Sequence, residues 1–413
     1  MSIIQNARLA ARGVQKIEWV KDFMPALTKI GKQLIAEQAF TGLKIGMSIH
    51  MEAKTAYLAT ILQQAGAKVF ATGCNPLSTQ DDVAAGLASL GVEVYAVHGI
   101  SNKGYSQHLN MVLENKPDLI IDDGGDLLEA YLRLPDYAKW PLIGGCEETT
   151  TGVTRLKQLE KHGLLPFPMV DVNGAQCKHY YDNKYGTGQS VWDAIMHTTN
   201  VLVAGKTVVV AGYGYCGKGI AMRARGMGAH VIVTEINPVK AIEANLDGFE
   251  VMTMDEAAPL GDFFVTATGC KDVIIEHHFL LMKDNAFLAN AGHFDVEINL
   301  VQLAEEAKSV AHRRDDIIGY KLKYNNRTLN VLAGGRLVNL AAGNGHPAEI
   351  MDMSFSLQIL CLKYLLEHHG LPEKKVYDVP ADIDELVART KLEAIGITLD
   401  RLTPDQQAYL GLD

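Results

Sequence analysis

Lys206–Glu235, KTVVVAGYGYCGKGIAMRARGMGAHVIVTE, is the stretch that decides the fold. The continuous apolar run Val208-Val209-Val210-Ala211 is the pattern of a strand buried on both faces. Gly212-Tyr213-Gly214-Tyr215-Cys216-Gly217 follows at once, a helical run continues to Gly228, and Val231-Ile232-Val233 leads into Thr234-Glu235. Strand, G-x-G-x-x-G turn, helix, strand and acid in that order predict a dinucleotide-binding βαβ unit. Gly212 permits the tight turn, Gly214 the approach of a pyrophosphate, and Gly217 close packing of helix on strand. The helix N-terminus offers free N–H groups and a positive dipole end to phosphates. Tyr215 and Cys216 belong to the same cofactor turn. A carboxylate at Glu235 accepts from ribose hydroxyls and repels a 2′-phosphate, which points to NAD rather than NADP.

Around this unit, 413 residues give room for two domains. Net charge is −10 without a basic block, which argues against a nucleic-acid partner. No apolar run reaches the length of a membrane span, and the N-terminus lacks the apolar core of a signal peptide. Cys74, Cys146, Cys177, Cys216, Cys270 and Cys361 form no C-x-x-C pair. The expectation is reduced thiols in a cytoplasmic protein, with neither a disulfide framework nor a metal site.

Residues 16–38 read as helix with a break at Pro25. Short apolar strands then alternate with helices: strands at 43–48, 68–72, 92–97, 118–122, 141–143 and 169–172, helices at 52–64 and 81–90. This predicts an α/β chain of two doubly wound parallel-sheet domains with a C-terminal helical tail. The expected division is 1–175 with 347–382 for substrate, 189–343 for NAD, and 383–413 as an oligomerisation tail. Asn173–Gln189 and Gly334–Pro347 read as the two hinges.

Ligands in such sheets bind at the carboxyl ends of strands. His50, Asp126, Glu148, Lys178, Asp182 and His293 all fall in such places. Lys178 and Asp182 are spaced for one helix face, and on spacing alone they form a surface ion pair. His277-His278 and His368-His369 read as surface residues. An NAD enzyme with a second α/β domain suits a 2-hydroxy-acid dehydrogenase, and an NAD-sensing module is a further reading.

As a set the motifs resemble the S-adenosyl-L-homocysteine hydrolase family over nearly the whole chain. They are Asn75–Asp81, Asp122–Asp126, Glu147–Gly152, Lys178 with Asp182-Asn183, Ala211–Gly214, Gly292–Asp295, Gly335–Asn339 and Gly345–Pro347. The resemblance implies hydrolysis of a nucleoside thioether through bound NAD. The ribose C3′ is oxidised, a carboxylate removes the acidified C4′ proton, and homocysteine thiolate leaves C5′. Water then adds and the ketone is reduced. Carried over by motif, the catalytic set is His50, Asp126, Lys178, Asp182 and His293. Asp126 is the expected C4′ base, and Lys178 assists removal of the 3′-hydroxyl proton. Glu52, Lys54, Thr55, Glu148, Asn183 and His346 form the substrate set. The cofactor set adds Thr149, Thr150, Thr151, Asn290, Ala291, Gly292 and Asn339, and His346 is also expected to reach it. A homotetramer is implied.

Departures from the family pattern matter for the base. Where adenosine-using members show H-x-T-x-E-T, this chain has His50-Met51-Glu52-Ala53-Lys54-Thr55. Donor and acceptor are exchanged: Glu52 can accept from an N1–H, and Lys54 can only donate, for instance to a 6-oxo group. This suits hypoxanthine, hence S-inosyl-L-homocysteine; an outward Lys54 would cancel the argument. Thr187 stands where many members have Cys. The chain ends at Leu410-Gly-Leu-Asp413 without the Lys- and Tyr-containing tail of longer members, so altered cofactor exchange is expected.

Overall fold

The computed structural model of the protein describes residues 1–369 and 371–412. Two eight-stranded sheets organise it. The first runs 3–4, 93–96, 68–72, 44–48, 119–122, 144–147, 169–171, 376–378, with every pairing parallel. The second runs 250–251, 230–234, 207–211, 263–266, 287–290, 328–332, 317–322, 307–314. Its last two strands form an antiparallel hairpin that extends a parallel sheet. The central strands are apolar on both faces: Ile45, Met47, Leu119, Ile120 and Ile121 are fully buried in one sheet, Val208, Val209 and Val210 in the other.

Helices cover both faces of each sheet. Pro25–Glu37, Ala53–Gln64 and Ala348–Glu367 share one core of the first half, and Asn102–Glu114 packs into the opposite core through Leu109, Val112 and Leu113. In the second half, Trp192 of helix Thr187–Thr199 is buried and its indole N–H donates to Ile220 O at 3.0 Å, fixing it to helix Tyr215–Gly226. Truncating so large a buried side chain costs about 3–5 kcal/mol. Strand order reverses between 44–48 and 119–122 in one sheet and between 207–211 and 263–266 in the other, so each sheet opens a crevice at its carboxyl edge there.

Several expectations shift. Helix 16–38 divides into Ala10–Lys21 and Pro25–Glu37, with Pro25 at the first turn of the second, where its missing N–H costs nothing. The strand expected at 141–143 is Gly144–Glu147. Glycines are poor strand formers, yet a Cβ at Gly145 would lie 2.5 Å from Ile120 Cγ1, so close strand approach requires them. The segment 173–189, read as the first hinge, is largely helical: Gln176–His179, then a wide turn in which Gly186 N–H donates to Tyr181 O, then Thr187–Thr199. The proposed tail is also divided. Helix Ala381–Ala394 buries Val387 in the first core, and Asp384 accepts from Gln176 and Cys177 N–H. From Ile395 onward, Ile397, Leu399, Leu402, Tyr409, Leu410 and Leu412 are exposed.

Candidate active site

The carboxyl edges of the two sheets face one cleft of about 1190 Å³. From the first half, His50, Glu52, Lys54, Thr55, Asp123 and Glu148–Thr151 line it; from the linking helices come Lys178, Asp182, Asn183 and Thr187. The second half contributes Gly212, Gly214, Tyr215, Cys216, Glu235, Ala291, Gly292, His293, Asn339 and His346.

Lys178 and Asp182 are an ion pair of 2.9 Å, but a buried one, 4% and 2% exposed. Glu148 and helix Ala348–Glu367 cover them, which spacing alone could not show. Lys178 Nζ also donates to Asn183 Oδ1 at 2.8 Å and lies 3.6 Å from Glu148 Oε1. Burial pulls the Lys178 pKa down, but the Asp182 and Glu148 carboxylates more than offset it and hold the ammonium charged. Burial pushes Asp182 up; Lys178 and His346, 3.2 Å away, outweigh it and keep the carboxylate ionised. Glu148 goes the other way: burial raises it to about 8 against the pull of Lys178. Helix Ala348–Glu367 steadies both acids, Ser354 Oγ donating to Asp182 at 3.1 Å and Gln358 Nε2 to Glu148 at 2.6 Å.

The Asp122–Asp126 loop requires a correction. Asp122 is consumed in accepting from the N–H groups of Leu127 and Leu128, at the start of helix Asp126–Leu132. Asp126 opens that helix on its outer side, accepting from Arg155 at 2.7 Å and Tyr105 at 2.9 Å, and does not line the cleft. Asp123 does, with Oδ2 3.4 Å from His50 Nε2. The sequence pointed to this loop, and of its candidate acids Asp123, not Asp126, faces the cleft. His293 stands across the cleft, its ring centroid 6.2 Å from that of His50. Burial drops His50 to about 4, so it is neutral at pH 7. Ser78 Oγ donates to Asn75 O and lies 2.6 Å from His50 Nδ1. With that hydroxyl hydrogen engaged, Nδ1–H is the donor and Nε2 keeps a free lone pair.

Elsewhere on the cleft wall, Glu52 caps helix Ala53–Gln64 by accepting from Lys54 and Thr55 N–H. Lys54 turns inward, 6% exposed, with Nζ 2.7 Å from Glu52 Oε2 and 3.0 Å from Asn344 O in segment 334–347.

The dinucleotide end also matches its residues. Gly212 has φ +94°, and an added Cβ at Gly214 would meet no atom within 4 Å. Gly217 lies behind the turn, where a Cβ would stand 1.9 Å from Gly212 O; it serves packing, not contact. Asn290 is likewise no wall residue: fully buried, it accepts from Gly292 N–H and donates to Phe294 O, shaping the turn that carries Ala291 and His293. Glu235 lines the cleft at the end of strand His230–Thr234, accepting from Tyr213 N–H at 2.7 Å. Asn339, 1% exposed, leaves Oδ1 without a partner, a buried acceptor suited to a carboxamide N–H. Glycine cradle, acid and orphaned amide together fit NAD. Beyond the sequence-derived set, the wall includes Leu337 of the Gly335–Asn339 motif and Asn237, Lys240, Thr268, Met351 and Phe355, which belong to none of the motifs above.

Fold and site together define a two-domain NAD-binding α/β enzyme. Two family descriptions match the chain: S-adenosyl-L-homocysteine hydrolase over residues 2–139 and its NAD binding domain over 183–345. The chain is 52% identical to an S-inosyl-L-homocysteine hydrolase of Methanocaldococcus jannaschii, covering 98% of both. It is 52% identical to an adenosylhomocysteinase of Thermococcus kodakarensis, covering 98% of this chain and 96% of that one. It is 54% identical to an adenosylhomocysteinase of Thermotoga maritima, covering 96% and 98%. The protein belongs to the S-adenosyl-L-homocysteine hydrolase family and is a hydrolase that carries NAD. Its substrate is a small molecule. Overall identity does not separate the inosyl from the adenosyl relatives, so the base rests on the residues facing it.

Proposed function

We propose that this chain cleaves S-inosyl-L-homocysteine to inosine and L-homocysteine in preference to the adenosyl compound. The observation that carries this is the buried Lys54–Glu52 pair on the cleft wall. An ammonium offers three N–H donors and no acceptor, and two point at Glu52 and Asn344 O. The third suits a 6-oxo group and has nothing to offer a 6-amino group. Glu52 is an acceptor for N1–H of hypoxanthine, which adenine lacks. A site built to hydrogen-bond one base discriminates by about 10⁴ or more against another that leaves its polar groups unpaired.

NAD, when bound, supplies reversible oxidation of the ribose C3′. The residues do the rest. Lys178 is an ammonium and cannot accept the 3′-hydroxyl proton unless its own proton moves; Glu148, 3.6 Å away with Oε1 unpaired, is the adjoining acceptor. The two act as one unit that takes up a single proton once Glu148 is ionised. Asp182 and Asn183 hold Lys178 in place. Asp123 takes the C4′ proton, and the free Nε2 of His50 with His293 exchanges protons with the departing sulfur and entering water. Closure of the two halves excludes bulk water from the oxidised sugar.

Comparing kcat/KM for thiol release from inosyl- and adenosyl-homocysteine tests the base; equal or greater efficiency on the adenosyl compound overturns it. The exposed apolar side chains from Ile395 to Leu412 support assembly of copies, a homotetramer in the family pattern, which light scattering tests. No helix among the described residues is long and apolar enough to cross a membrane, and a cytoplasmic location is our reading, testable by fractionation.

A further inference from the structure

His50, Cys74 and Asp123 bring three different donor atoms within 4.8 Å of one another, all on buried residues. Each follows the end of its own strand, 44–48, 68–72 and 119–122, which are neighbours in the first sheet. Asp123 Oδ2 is the hub: 3.4 Å from His50 Nε2 and 3.4 Å from Cys74 Sγ. A tetrahedral zinc ion, with bonds of about 2.0 Å to N and O and about 2.3 Å to S, holds its N and O ligands about 3.3 Å apart and its S and O ligands about 3.5 Å apart. The two separations from Asp123 match those edges, and the His50–Cys74 edge lies within 4.8 Å. The tautomer matches as well. Nε2 of neutral His50 directs a lone pair toward a carboxylate oxygen, two acceptors face to face, and a cation between them resolves the conflict.

We propose that His50, Cys74 and Asp123 form a binding site for a thiophilic divalent cation of the zinc type, and that its occupation reversibly inhibits the enzyme. Binding converts the Cys74 thiol to thiolate with release of one proton to solvent; no electron is transferred. Three protein ligands leave a fourth position for water. Nδ1–H of His50, bonded to Ser78, orients the imidazole as metal-ligating histidines require. The cation occupies the lone pairs of His50 and Asp123, so both lose their capacity to move protons; this inhibitory arm rests on the roles proposed above, whereas binding does not. Asp255, His277 and His278 make a second such cluster but cannot act alike. His278 Nδ1 accepts from Ile275 N–H, so its Nε2 carries a hydrogen and donates to Asp255.

The test uses NAD-loaded, chelator-treated protein with cobalt(II) or zinc(II) chloride alone. The expected result is one cobalt per chain with a thiolate-to-cobalt charge-transfer band, kept in Cys216→Ala and Cys270→Ala and lost in Cys74→Ala. Zinc should inhibit the wild type, and Cys74→Ala and Cys74→Ser should need at least tenfold more zinc to halve their own zinc-free rates. A band or zinc sensitivity that survives in Cys74→Ala overturns the site. A Cys74-dependent band without inhibition keeps the cation site, ends the regulatory claim, and counts against the roles given to His50 and Asp123.

Discussion

His293 stands directly over Gly124: a Cβ added at 124 would lie 2.3 Å from the imidazole Nε2. The contact crosses the cleft, joining the loop after strand Phe287–Asn290 to the loop after Leu119–Asp122. Gly124 also has φ +105°, which side chains rarely adopt. Gly124→Ala should therefore expel His293 from its position and cost about 1–3 kcal/mol in backbone strain. Thiol release should fall at least tenfold while NAD content stays unchanged, as read by cofactor absorbance after gel filtration.

The two acids of the same loop are separable. Asp123→Asn should lower exchange of the C4′ proton into heavy water by about 10²-fold or more, the usual cost of losing a positioned base. Asp126→Asn should leave that exchange within a few-fold, because its carboxylate serves Arg155 and Tyr105. NMR of substrate incubated with each variant decides. Comparable losses in both would return the role to Asp126.

Exchange of Glu52 and Lys54 for Thr and Glu together should move base preference toward the adenosyl compound by roughly 10²-fold or more in the kcat/KM ratio. Lys54→Met alone breaks a buried pair, a change that costs about 3–5 kcal/mol when the remaining charge has no other partner. Glu52 keeps two backbone N–H donors, so the loss of stability should lie at or below the lower end. Thermal melts of the single and double variants give the comparison.

Glu148 predicts a pH dependence with a defined sign. Lys178 and Asp182 face it from the linking helices, Asp123 from the neighbouring strand end, and Gln358 from helix Ala348–Glu367. Its folded pKa of about 8 lies above the ordinary 4.5. The folded protein thus holds a proton that the unfolded chain has released, and stability falls as pH rises from about 4.5 through about 8. Activity should do the reverse, rising toward pH 8 as the Lys178–Glu148 unit becomes able to accept a proton. Glu148→Gln should flatten the melting temperature over that window and remove the rising limb of kcat/KM. A melting profile that keeps the wild-type slope in this variant would assign the dependence elsewhere.

How much of this could be read from the chain varied with the range of the interactions involved. The βαβ unit at 206–235 was legible because turn, helix start and acid are local in sequence. So was Glu52 beside Lys54. The choice between Asp123 and Asp126 was not, since it depends on which side of a helix start faces the other half of the molecule and on Arg155 from a separate helix. Gln358 and Ser354 were invisible for the same reason: each reads as ordinary helix until the opposing acids are placed. The Lys178–Asp182 spacing suggested solvent, and only the distant Glu148 and helix Ala348–Glu367 cover the pair. Cys74 gave no sign, because the donors it joins come from two other strands.

The ammonium of Lys54 holds main chain at Asn344, in the segment read as the second hinge, as well as a carboxylate. On the base-reading role proposed for Lys54, any swing of the cofactor half about Asn344 would tug on the group that reads the nucleobase. Recognition and shutting would then be one motion, and a mismatched nucleoside would be penalised in how long the jaws stay together as much as in how tightly it is grasped.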